Sequence, residues 1–143
     1  MQRMIFVNLP VADLAASRAF YAALGFGFNE QFSDDGATYA VVEQNIALML
    51  LTRPRFEDFL AGPIGDPQTA TSVLVALSAD SREEVDRLAD AALAAGGTPW
   101  KDAQDHGFMY GRSFRDPSGN VLEVMWMDAA AVTGAGETVG AGA

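Results

Sequence analysis

Met4-Ile5-Phe6-Val7-Asn8-Leu9-Pro10-Val11-Ala12-Asp13 and Thr71-Ser72-Val73-Leu74-Val75-Ala76-Leu77-Ser78-Ala79-Asp80 are two versions of one unit. Each is an apolar run that reads as a strand and stops at Ala-Asp, just before a helical pattern. In the first helix Asp13 is the expected N-cap, and Leu14, Phe20, Tyr21 and Leu24 supply the apolar faces. In the second, Ser81-Arg82-Glu83-Glu84 fits a capping box, and Val85, Leu88, Ala92 and Leu93 form the stripe. The helices end at Gly25 and at Gly96-Gly97. Ala12 and Ala79 are 67 positions apart and Gly25 and Gly96 are 71 apart, so the second helix is about one turn longer. Three strand-like segments follow each helix. In the first half these are Phe26 to Ser33, Ala37 to Glu43 and Ile46 to Leu51. In the second they are Thr98 to Asp105, Phe108 to Phe114 and Val121 to Met127. Asp34-Asp35-Gly36 and Asp116-Pro117-Ser118-Gly119 carry turn chemistry between strands. An internal repeat on this scale sets the architecture. The expectation is an α+β fold of two βαβββ modules whose mixed sheet curls around a pocket.

The organisation follows. One domain covers 1–128, with module 1 at 4–52, a proline-bearing linker at 53–70 and module 2 at 71–128. Within the linker, Arg55 to Ala61 is expected as a short helix lying over the pocket mouth as a mobile lid. From Ala129 to Ala143 the chain is rich in Ala and Gly without periodicity, which predicts a loose tail.

Composition narrows the function classes. The 143 residues carry 9 Lys plus Arg against 19 Asp plus Glu, a formal charge of −10. That balance opposes nucleic acid, whose phosphates it repels, and suits a neutral or cationic ligand. No apolar run approaches the roughly 18 residues of a membrane span. Met1-Gln2-Arg3 leads straight into a strand, so no cleavable signal is expected. With no cysteine, the chain suits a reducing cytoplasm.

The segment Asp116-Pro117-Ser118-Gly119-Asn120-Val121-Leu122-Glu123-Val124 closely resembles the closing motif of the vicinal oxygen chelate superfamily, the glyoxalase, bleomycin-resistance and extradiol-dioxygenase group. Leu9-Pro10-Val11-Ala12-Asp13-Leu14, with Phe20-Tyr21 and Leu24-Gly25-Phe26, resembles the same family's first module. The resemblance implies a cup built by both modules, holding small ligands and metals, often in a dimer. It also implies metal ligands, usually His or Gln, Glu, His and Glu, on the first and last strand of each module. Those positions fall here on Phe6, on or beside Met49, on Leu74 and on Glu123. Only Glu123 matches. The chain's own inventory agrees: one histidine, His106, and no cysteine cannot supply a two-His, one-carboxylate centre or a Cys/His zinc site. No metal and no cofactor are expected; an all-oxygen Mg²⁺ or Ca²⁺ site remains open in principle but needs carboxylates converging in the cup, where only Glu123 is placed.

Strand alternation predicts the lining. If Glu123 points into the cup, Val121, Met125 and Met127 do too, while Leu122, Val124 and Trp126 pack on a helix. Met4, Phe6 and Asn8, then Ala47, Met49 and Leu51, then Ser72, Leu74 and Ala76 complete a greasy wall with few polar groups. The alternative is a closed core filled by these side chains. Tyr110 and Arg112 share a strand face and suit either an anionic or carbonyl group of a ligand, or a surface or dimer contact. Tyr39 and Trp100 read as aromatic walls or as core. His106 sits in a turn, either solvated or as a proton shuttle.

The functional expectation is a glyoxalase/bleomycin-resistance-like homodimer that binds a small, largely apolar molecule, with Phe6, Asn8, Met49, Leu74, Tyr110, Arg112, Glu123 and Met125 as ligand-binding residues. The alternative is a glyoxalase-like lyase or isomerase, or a dioxygenase. There Glu123 is the catalytic residue, moving a proton α to a carbonyl that Arg112 or Tyr110 polarises.

Overall fold

The computed structural model describes residues 1–131. Module 1 runs β1 (Ile5–Val11), α1 (Leu14–Ala23), β2 (Gly27–Asp34), β3 (Ala37–Glu43) and β4 (Ile46–Thr52). Its sheet, sheet A, has the order β1-β4-β3-β2, with β1 parallel to β4 and the other pairs antiparallel. A short α2 (Arg53–Glu57) opens the linker. Module 2 runs β5 (Leu74–Ser78), α3 (Arg82–Ala94), β6 (Thr98–Pro99), β7 (Gln104–Asp105), β8 (Met109–Arg115) and β9 (Val121–Met127). Sheet B repeats the plan as β5-β9-β8-β6, with β7 also on β8. The α+β class and the paired modules are as expected. Among the described residues no helix is long and apolar enough to cross a membrane.

The helix signals act as read. The Asp13 carboxylate accepts from the Ala16 N–H at 3.0 Å, satisfying one of the orphan donors of α1. Ser81 Oγ accepts from the Glu84 N–H at 3.1 Å. Glu84 returns to the N–H of Asp80 at 2.6 Å, one residue before the cap. Gly25 and Gly96 follow the helices with φ of 90° and 103°, a region where a side chain is strained.

Three expectations need correction. The fifth strand starts at Leu74, not Thr71. The strand expected over 98–105 is two fragments of two residues each. Pro99 has no N–H for a ladder, and the Lys101 N–H goes to Ser113 Oγ instead. Ala129 to Ala131 are already helical, and the rest of the expected loose tail lies outside the described residues.

One apolar core joins the modules. Leu9, Val11, Leu48 and Leu50 of sheet A, Phe114, Leu122 and Val124 of sheet B, and Phe20, Tyr21, Val85, Ala89 and Ala92 of the helices form a single buried cluster. Phe20 of α1 packs edge-on against Phe114 of β8, with ring centroids 6.0 Å apart. The helix-bearing faces of the two sheets therefore turn toward each other, and their other faces turn outward. The closing motif of the sequence fastens this arrangement. Asp116, 2 % exposed, accepts from the Tyr21 hydroxyl at 2.8 Å and from the N–H groups of Ser118 and Asn120, both at 2.9 Å. The Asn120 side-chain amide donates to Asp116 and, at 3.0 Å, to the carbonyl of Pro10. Ser118 Oγ accepts from the Ala12 N–H at 2.9 Å. The β8–β9 turn is thus bound to the end of β1 and to α1.

Candidate functional site

The outward face of sheet A is a concavity of about 580 Å³. Asn8, Met49 and Tyr39 form its central row, in register across β1, β4 and β3. Phe6 meets Tyr39 edge-on at 5.8 Å between centroids, and Phe32 of β2 lies 6.1 Å from Tyr39. Phe59, just beyond α2, closes a fourth side. The linker helix expected over 55–61 is the shorter α2, and Arg55 and Phe59 bring its C-terminal side to the rim. Tyr39 is therefore an aromatic wall.

Arg55 and Asp34 meet at the same rim, with Arg55 Nη1 at 3.2 Å from the carboxylate. The Gly36 N–H, donating to Asp34 at 2.8 Å, and then Arg55 hold this carboxyl below its usual range. The guanidinium lies flat on Gly36, where an added Cβ would stand 2.8 Å from Arg55 Cζ. An added side chain here would displace the guanidinium.

The outward face of sheet B carries Leu74, Ala76, Ser113, Gly111, Glu123 and Met125, joined by ladder register. It is occupied differently. The stretch between β6 and β7 lies over it, leaving about 30 Å³ between Lys101, Asp102 and Gln104 on one side and Glu123 and Met125 on the other. That is room for a water or two.

Reading the faces by alternation is correct strand by strand. Within one chain, however, the faces do not make one cup. The concavity at Phe6, Asn8 and Met49 and the slot at Glu123 and Met125 are lined by separate sets of residues. Ser72 lies before β5. It lines a third cavity, about 220 Å³, with Asn8, Phe56 and Val121 under the linker.

Tyr110 and Arg112 need the clearest correction. Both point to α3 and not to the Glu123 face. The Tyr110 hydroxyl donates to Asp86 at 2.6 Å, and Arg112 binds Asp86 at 3.1 Å and Asp90 at 2.9 Å. The Tyr110 hydroxyl is the main cause of a lowered Asp86 carboxyl. Arg82 lies over the rings of Tyr110 and Trp126 and pairs with Asp105 at 2.8 Å, which strongly lowers that carboxyl. These groups tie sheet B to its helix. Glu123 and its expected carbonyl-polarising partners thus sit on opposite faces of one sheet. His106 is exposed, its N–H donating to the Met109 carbonyl at 2.8 Å in the turn before β8.

The donor chemistry does not fit a transition metal. Phe6 and Leu74 offer no lone pair, and Met49 offers only a soft thioether. Among the described residues no three His, Cys, Asp or Glu side chains converge.

Sequence reasoning missed Phe32, Phe59, Asp34 and Arg55. The signal for Phe32 was available, since Phe26, Phe28 and Phe32 alternate. Its face was not readable from alternation, because the β2–β3 register shifts between Asn29 and Asp34.

Comparison with known proteins places this geometry. Residues 3–124 match the family model described as "Glyoxalase/Bleomycin resistance protein/Dioxygenase superfamily". A hypothetical protein from S. aureus has a similar structure, with 25% identity, a TM-score of 0.73 and coverage of 88% of this chain and 94% of that one. Lactoylglutathione lyase from Agrobacterium tumefaciens is 20% identical at a TM-score of 0.66, covering 88% and 94%. The fosfomycin resistance protein FosX from Mesorhizobium loti is 11% identical at 0.67, covering 93% and 98%. At such identities the likeness of the last two is one of fold, and their two names already differ in chemistry. No functionally curated protein matches the sequence.

Proposed function

Because the chain belongs to the glyoxalase/bleomycin resistance protein/dioxygenase superfamily, we propose that it binds a small, largely apolar molecule in the sheet A concavity, without a metal and as a homodimer. The observation that carries this reading is the exposure of that face. Phe6, Phe32 and Phe59 are 47%, 60% and 70% exposed around an open concavity. Soluble chains rarely leave so contiguous an apolar patch without a use for it. Greasy walls with a few oriented polar groups, here Asn8, Tyr39 and the Asp34–Arg55 pair, suit a small ligand. Met49 at the floor adapts to its shape.

A second copy accounts for the other exposed apolar groups. Leu74 and Val73 are also about half exposed, and β1 and β5 are both edge strands. A two-fold axis can set sheet A of one chain against sheet B of another, twice over, because an isologous contact uses each surface once per subunit. Each concavity at Phe6, Asn8 and Met49 is then closed by the exposed β5 edge, at Val73 and Leu74, of the partner subunit.

The test is light scattering combined with a thermal-shift screen of hydrophobic compounds on the same sample. A dimer whose melting temperature rises with a subset of compounds is expected. Phe6→Glu, on a surface position, keeps the circular dichroism spectrum but loses both dimer and shift. A monomer that no compound stabilises overturns the reading.

A further inference from the structure

Aromatic rings from three strands and an ion pair line the sheet A concavity together. We infer that the ligand of this concavity is an organic cation, a quaternary or protonated amine attached to a flat apolar body; this rests on the reading that the concavity is a ligand site. Three observations lead there. First, Tyr39 stands between Phe6 and Phe32, its centroid 5.8 and 6.1 Å from theirs, and Phe59 lines the same concavity. The ring faces carry negative quadrupole charge, and a cation within about 6 Å of a ring centroid is attracted to it. Three strands and the segment after α2 supply these rings, so the box is built by the fold and not by one flexible segment. Secondly, the ionised groups at the rim are Asp34 and Arg55. Arg55 is the only base among the lining residues, and its charge is already matched by Asp34 at 3.2 Å. An incoming anion finds no free cation. An incoming cation finds a carboxylate that it can share with Arg55. Thirdly, the chain carries −10, so the field around the mouth favours positive solutes and repels negative ones.

The rim pair gives the inference opposing handles. Asp34 attracts a cation, whereas Arg55 competes with it for the same oxygens. Asp34→Asn keeps the side-chain oxygen that caps the turn at Gly36 and removes only the charge. Arg55→Ala frees the carboxylate and removes a like charge. The two substitutions therefore move cation affinity in opposite directions while leaving a neutral ligand nearly unaffected. A merely greasy pocket does not behave that way.

Three naphthalene probes make the measurement direct: trimethyl(2-naphthyl)ammonium, its uncharged isostere 2-tert-butylnaphthalene, and the smaller anion 2-naphthoate. Binding is followed by naphthalene fluorescence and by calorimetry on the full chain. The cation is expected to bind on the order of tenfold more tightly than the neutral isostere, the range of a partly desolvated cation–π contact, with the carboxylate weakest. Asp34→Asn should bring the cation down toward the neutral compound, and Arg55→Ala should tighten it. Equal or tighter binding of 2-tert-butylnaphthalene overturns the charge preference and leaves the apolar pocket standing. Preferred binding of the carboxylate overturns the preference too, and points to Arg55 as an anion anchor. Binding of none of the three removes the pocket itself and this inference with it.

Discussion

Replacing Tyr21 by Phe removes one oxygen from the joint between the modules and almost nothing else. The ring stays against Phe20 and Phe26, at 4.9 and 6.1 Å between centroids. The lost group is a hydroxyl donating to the Asp116 carboxylate at 2.8 Å, in a place where Tyr21 is fully buried and Asp116 nearly so. Hydrogen bonds to charged groups contribute about 1.5–3 kcal/mol. Asp116 keeps the donors at Ser118 and Asn120, so its carboxylate is not orphaned and the lower half of that range applies. A loss of about 2 kcal/mol is therefore expected, or roughly 4–10 °C in melting temperature for a domain of this size. The assay is urea unfolding followed by tryptophan emission. Both tryptophans, Trp100 and Trp126, lie in module 2, whereas the substitution is in module 1. A single transition that moves to lower urea with an unchanged slope shows that the modules unfold together, across the shared core. The joint would not be what couples them if the shift stayed within about 0.5 kcal/mol, the usual effect of a surface change. A tryptophan transition that ignored Tyr21→Phe while circular dichroism split into two steps would refute the single core as well.

The same carboxylate gives a signature in pH. Burial pushes Asp116 above the ordinary carboxylate range, against the pull of its donors. The folded state thus binds this proton more readily than the unfolded one, and the contribution grows as pH falls through the raised value. Asp34, Asp86 and Asp105 are held low and act in the opposite sense, losing stability as pH falls below about 4. Asp116→Asn removes only the first of these, so urea midpoints measured from pH 6 to pH 3.5 should fall more steeply in the variant than in the parent. Arg112→Ala should cost stability but leave the affinity of any cup ligand within about twofold in a calorimetric titration, because Arg112 binds Asp86 and Asp90 on the helix side; a large loss of affinity would put Arg112 back in the site.

The contrast between what was readable and what was not has a physical basis. Helix starts at Asp13 and Ser81, the glycine stops and the alternation of every long strand were legible, because caps, positive φ and the two-residue strand period are local properties. Alternation even assigned Phe6, Met49, Glu123 and Met125 to the correct faces. It put Tyr110 and Arg112 on one shared face, as found, but could not say which, since both faces of β8 carry polar side chains and only the acids of α3 decide the matter. Nor does a face's membership in a sheet say what lies opposite it. That depends on Phe20 reaching Phe114 and on Tyr21 reaching Asp116, contacts across more than ninety positions of sequence. The stretch that most resembled the family, Asp116 to Asn120, proves to be this joint. Within it, the roles of Asp116, Ser118 and Asn120 are to hold module 1, and Glu123 follows on the outward face. A motif fixed by such a joint marks how two modules are bound and leaves the chemistry to the outward faces. Phe6, Phe32, Tyr39 and Asp34 lie there, outside the buried core cluster. The specificity of the ligand site proposed above is therefore to be sought in sheet A and its rim, and not in the residues that announce the fold.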